Sequence, residues 1–263
     1  MNPDYCAKLL RSVFKPFGLE KPRNPEKLRK RQRIPRHNCL SRGNPTRTVE
    51  RRLTKRKPSR ATQDESPEGA QELVARVRVN SGGRLPPLDP RTFTDEQKRL
   101  AYEISTYYGG KLDGPHAIWF RAPALAKQAS RLNNELRTFG KLERRLFELA
   151  VLVTARRYSA QFEWCVHEPS ALKAGLSRRV VEAIRQGETP IFERPDDEVV
   201  YETVSELQRE GTLSRATYDR ALSELGESPL IELVTVAGFY TMVSFLLNAF
   251  DAPLPEGLPP PLS

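Results

Sequence analysis

Three ionisable residues in the stretch ELAVLVTARRYSAQFEWCVHEPSALKAGL, residues 148–176, have the types and spacing of a proton-transfer site. Glu148 interrupts an otherwise apolar run, and burial among apolar neighbours pushes a carboxyl group toward a pKa useful near neutrality. Glu163 and His167 stand four positions apart, about one helical turn, so they share one helix face. Two carboxyl groups and an imidazole gathered by adjacent helices can take up and deliver a proton. Each also has a plainer role. Glu148 can pair with Arg144 or Arg145, and a Glu163–His167 contact on an exposed face is worth only about 0.2–0.5 kcal/mol. Cys165 lies between them in sequence but on another face, and reads as packing. Arg121, Arg156 and Arg157 carry the planar guanidinium that meets a carboxylate through two parallel hydrogen bonds.

These residues need helices to position them. Asp95 and Glu96 favour a helix start after Thr92 or Thr94. Gly109, Gly110 and Gly114-Pro115 read as a break, and Pro123 as the first turn of a second helix. Residues 141–157 form a third, with Leu142, Leu146, Leu149, Ala150 and Val153 at helical spacing and Phe147, Val151 and Leu152 covering the remainder. Ser159 is the expected cap of a fourth helix ending near Gly175, which carries Glu163 and His167. Ser177 and Gly187 bracket a fifth, and Gly211 closes a sixth. A seventh follows over 214–226. An eighth runs through SPLIELVTVAGFYTMVSFLLNAF, where length favours a buried helix over a strand. The expected fold is all-α, a helical bundle over 85–252 with a Pro-rich tail over 253–263.

Charge divides the chain unevenly. Residues 1–80 hold 21 Lys and Arg against 8 Asp and Glu, whereas 81–263 hold 22 against 25. The net charge of +10 therefore belongs to the N-terminal third. That segment, 1–84, has many prolines and few large apolar residues, and reads as a disordered basic extension. It could serve as a nucleic-acid arm, but such composition specifies no partner, so nucleic-acid binding is not the expectation for the chain. No run of 18 apolar residues suggests a membrane span. The cysteines Cys6, Cys39 and Cys165 form no C-x-x-C pair, and His37 with Cys39 is too small a set for zinc. No metal is expected, and a reducing, cytoplasmic compartment fits the odd cysteine count.

The order of residues from Glu148 through EWCVHEPSALKAGLS resembles the signature of the carboxymuconolactone decarboxylase family. GPHAIWFRAPALA resembles that family's Gly-Pro segment and following helix start. VTVAGFYTMVSFLLNAFDAPLPEG resembles its closing Gly-x-Tyr helix and Pro-rich end. The resemblance covers about 86–258 and implies a bundle of the alkyl hydroperoxidase D-like type. The redox branch of that superfamily carries Glu, C-x-x-C and His. Here Glu148 and His167 match its glutamate and histidine, but Ala160 and Glu163 stand where the two cysteines would be. A peroxidase of the same superfamily is thus one alternative, a non-enzymatic binding module with a nucleic-acid-binding basic arm is the other, and Glu-Trp-x-x-His at 163–167 is similar to the decarboxylase branch. The resemblance implies a cofactor-independent carboxy-lyase of aromatic catabolism acting on a small carboxylated lactone. It implies Glu148, Glu163 and His167 as catalytic, with Arg121, Arg156 and Trp164 as substrate-binding. It also implies a homo-oligomer, a trimer or hexamer.

Overall fold

The computed structural model describes residues 78–79, 83–108, 111–255 and 258–263, and the fold they form is all-α. The expectation for residues 1–77 lies outside these residues. The helices are α1 (Asp95–Tyr108), α2 (Gly114–Trp119), α3 (Pro123–Asn134), α4 (Arg144–Arg157), α5 (Gln161–Lys173), α6 (Arg178–Gln186), α7 (Pro195–Glu210), α8 (Arg215–Leu225) and α9 (Glu227–Ala249). Part of the segment assigned by sequence to the N-terminal extension belongs to the fold, including Arg84, whose backbone N–H donates to the Phe250 carbonyl oxygen at 3.0 Å. Arg78 and Val79 pair in parallel with Lys111 and Leu112. Gly114-Pro115, expected as a break, instead opens α2, since Pro at a first-turn position lacks only a donor that a helix start leaves unpaired anyway.

The centre of the bundle is α4. Every residue from Arg145 to Ala155 is buried, and α5, α6, α7 and α9 pack around it. Its sequence is apolar nearly all round, and each buried Leu, Val or Phe contributes about 1.5–3 kcal/mol. The polar exceptions are partnered. Thr154 Oγ1 donates to the Ala150 carbonyl oxygen at 2.9 Å. The buried Arg145 guanidinium pairs with Asp196 at 2.6 Å and with the carboxylate of Asp197. Glu232, from α9, accepts the backbone N–H groups of Lys141 and Leu142 at 2.6 and 2.7 Å. A carboxylate is thereby set just ahead of the start of α4, where the helix dipole favours it.

Thr94 caps α1 through a reciprocal pair with Gln97, at 3.0 and 3.2 Å. Ser159 does not cap α5. Its backbone is left-handed, φ 48°, and Ala160 occupies the cap position without a side-chain bond. The turn between α4 and α5 is therefore three residues long, Tyr158 to Ala160, and folds the two helices directly against each other. α9 is long and apolar enough to cross a membrane by length and composition, yet half of that stretch is buried in the bundle. The Pro-rich end does not extend α9, and it docks rather than trails. Leu262 is buried, and its backbone exchanges two 2.9 Å hydrogen bonds with the Gln161 side chain at the start of α5.

Candidate functional site

The tight α4–α5 turn brings Glu148, midway along α4, against His167, midway along α5. Glu148 Oε2 lies 2.7 Å from His167 Nδ1, and both side chains are buried. Arg144, one turn before Glu148, approaches its other oxygen at 2.5 Å, and Arg137 stands 3.9 Å from the same oxygen. Arg137 comes from a π-helical turn, Glu135–Phe139, that ends α3 with a hydrogen bond from Gly140 N to the Glu135 carbonyl oxygen. The wider turn places an arginine inside that a regular helix would place elsewhere.

Burial by itself would raise the Glu148 pKa, as the sequence suggests. The His167 imidazole and the guanidiniums of Arg137 and Arg144 outweigh it and hold the carboxyl below the ordinary carboxylate range. Glu148 is therefore an ionised acceptor, not the carboxyl of raised pKa that its apolar setting predicts. Burial pushes His167 down more strongly than the Glu148 carboxylate pulls it up, and both arginines add to the downward shift. The imidazole is then neutral at pH 7. With an ionised partner that can only accept, its proton sits on Nδ1 and Nε2 keeps a lone pair.

Glu163 and His167 share a face of α5, as their spacing predicts, and both line one cavity. Glu163 is 3% exposed, and burial pushes its pKa up to about 8 against the opposing hydrogen bond from Ser244. Ser244 Oγ, on α9, donates to its Oε2 at 2.5 Å. Its carboxyl thus keeps its proton at neutral pH. The cavity combines a base with a free lone pair and an acid that still holds its proton, the two partners of a proton transfer.

The remaining walls come from α2, α3 and α9. Trp119 and Phe239 meet with ring centroids 6.3 Å apart, and Tyr240 sets its ring edge-on to His167 at 5.1 Å. The Tyr240 hydroxyl donates to Asn133 Oδ1 at 3.2 Å and accepts from Arg137 at 3.4 Å. Burial raises its pKa, so it remains a phenol. His116, on α2, lines the cavity with burial holding its pKa near 4, hence neutral. α2 can approach this closely because Gly114 adopts φ 57° and a Cβ there would overlap the Phe162 ring. Water centres have about 50 Å³ to occupy, room for about three to five waters by the roughly 10–15 Å³ each requires.

Of the residues expected to bind substrate, the structure brings none to the cavity. Arg121 turns to the Pro86 carbonyl oxygen. Trp164 faces the far side of α5, fully buried, with its indole N–H donating to Glu168 at 2.9 Å and the Arg185 guanidinium over its ring. Arg156 lies two turns beyond Glu148 in a separate groove. Arg137, His116 and Tyr240 line the cavity instead, and Ser244 reaches it only through its hydrogen bond to Glu163. Tyr240 stands in the Gly-x-Tyr and His116 in the Gly-Pro-His segment, so those two carried a signal. Arg137 depends on a π-turn, and Ser244 on a long-range contact, so neither did. Among the described residues no group of His, Cys, Asp and Glu is arranged to hold a metal. Cys165 does not line the cavity. Compared with protein-family models and with curated proteins, the chain matches none.

Proposed function

We propose that this cavity is the active site of a cofactor-independent enzyme that decarboxylates a small carboxylated substrate and protonates the resulting carbanion, as the resemblance to the carboxymuconolactone decarboxylase family implies. One observation carries the reading: a protonated Glu163 and a neutral His167 fixed by Glu148 line the same cavity. The substrate carboxylate would be met by Arg137. As CO2 leaves, the bonding electron pair stays on the substrate as an enolate-like carbanion. Glu163 supplies the proton to carbon and becomes a carboxylate, which solvent re-protonates when product leaves. His167 Nε2 accepts a hydrogen bond from a substrate hydroxyl or from water and orients it. The Tyr240 hydroxyl, turned from Asn133 Oδ1 to the substrate, would be a neutral donor for charge that develops on an oxygen.

Glu163 in place of a cysteine, and Cys165 away from the cavity, favour acid–base chemistry over thiol peroxidation. The outward face of α9 supports self-association. Ile231, Val234, Met242 and Phe245 are all at least 40% exposed and fall along one side of the helix, with Gly238 between them. A second copy of the chain would cover this stripe. The reading is tested with the purified chain and small carboxylated lactones, following CO2 release and loss of lactone absorbance. Turnover should fall by about 100-fold or more in His167→Ala and in Glu163→Gln. Equal rates in the native chain and both variants would remove the assignment.

A further inference from the structure

A second concavity lies away from the cavity just described and shares none of its lining residues. It sits between the C-terminal ends of α4 and α6 and the second half of α7, and offers water centres about 410 Å³. That size falls within the roughly 300–1,000 Å³ of small-molecule sites. Its wall carries Arg156, Arg157 and Arg209 against one carboxylate, Glu188, with Ser205 and Tyr201 as hydroxyl-bearing neighbours.

Arg156 is not consumed by the fold. Among the described residues the Arg156 side chain makes no hydrogen bond or ion pair, and its Nε is buried without a partner. The guanidinium lies over the turn at Gly187, with Nη2 3.1 Å from where a Cβ there would stand, so a side chain at that position would press on it. Arg157 contacts the Tyr158 ring, and Arg209 makes an exposed pair with Glu210. Nearness to two helix C-termini favours cations by about 0.3–1 kcal/mol, but it gives the buried Nε no acceptor. A buried donor without a partner calls for a water or an ion to meet it. Three arginines against one carboxylate leave the wall of this groove with excess positive charge, which an anion would offset.

We propose that this groove binds a small dianion of the phosphate-ester or dicarboxylate type, clasped by Arg156 and Arg157 on one wall and Arg209 on the other. Planar guanidinium forks suit both classes, because each presents paired oxygens that accept two parallel hydrogen bonds. The Ser205 hydroxyl supplies a further donor, and Glu188 is placed to accept from a hydroxyl on the ligand. The site is independent of the chemistry assigned to the Glu163 cavity, so either reading can fail without the other.

Isothermal titration of the full chain tests this, with inorganic phosphate and malonate titrated separately and chloride as the monovalent control. Ionic strength is kept near 20 mM, where screening is weak. Residues 1–80 carry excess positive charge and attract anions loosely. The decisive comparison is therefore between the native chain and Arg156→Met, which leaves that segment intact. We expect one saturable site for phosphate, malonate or both, weakened about tenfold or more in Arg156→Met and in Arg209→Ala. The tighter of the two ligands tells phosphate ester from dicarboxylate. If Arg156→Met does not fold by circular dichroism, the exposed Arg209→Ala carries the comparison. Absence of saturable binding, equal binding in native and variant chains, or an equal response to chloride would overturn the proposal.

Discussion

Replacing Glu163 with glutamine separates the burial of this side chain from its ionisation. The carboxyl has a pKa of about 8 in the fold against an ordinary 4.5. Between those values the unfolded chain has released this proton and the folded chain still holds it. The unfolded state then binds fewer protons, so the contribution to stability is fully present below about 4.5 and declines as pH rises toward 8. The slope is about 1.4 kcal/mol per pH unit, and the whole gap corresponds to about 5 kcal/mol. Glutamine keeps the shape and can still accept from Ser244 Oγ, but it does not titrate. Paired urea denaturation curves at about pH 5.5, 6.5 and 7.5 should show the variant gaining on the native chain by about 1.4 kcal/mol at each step. All other titrating groups are common to both proteins and cancel in the difference. A difference that stays flat across this range would mean that Glu163 is ionised in the folded protein, and the acid assigned to the cavity would be lost with it.

Three further outcomes follow from the geometry. Turnover against pH should be bell-shaped, with an alkaline limb near the Glu163 value of about 8 and an acid limb below the ordinary imidazole value, since His167 is shifted down; the alkaline limb should vanish in Glu163→Gln. Arg145→Met leaves the Asp196 and Asp197 carboxylates without their buried partner, and urea denaturation should report a loss of about 3–5 kcal/mol, partly restored by adding Asp197→Leu. Ile231→Glu places a charge in the exposed stripe of α9, and light scattering should report a smaller assembly than the native chain forms, with unchanged helicity.

Much of the scaffold was legible because it is local. Pro123, Gly187 and Gly211 marked helix ends where they occur, and the apolar run around Glu148 identified the central helix. Glu148, Glu163 and His167 were legible for the same reason, since one turn of helix and one short loop suffice to bring them together. What escaped was set by contacts across the chain. The sign of the Glu148 shift depends on Arg137 arriving from α3, which no spacing near Glu148 announces. Ser159 carries the right side chain for a cap but takes a left-handed backbone, because the α4–α5 turn is too short for a capping geometry. Arg121 and Trp164 have the right chemistry for a substrate, but packing turned them to a backbone carbonyl and to Glu168.

The long last helix has a consequence for the order in which this site is assembled. The Glu148–His167 contact spans 19 residues and can form as soon as α4 folds onto α5. The Ser244–Glu163 contact spans 81 and waits for α9 to dock. Until it does, Glu163 faces water and behaves as an ordinary carboxylic acid, ionised at neutral pH. The base therefore exists before the acid does. A molecule in which α9 has come loose would keep its helical content and its Glu148–His167 hydrogen bond while carrying no proton to give, so the protonation state of this single carboxyl reads out whether α9 is docked.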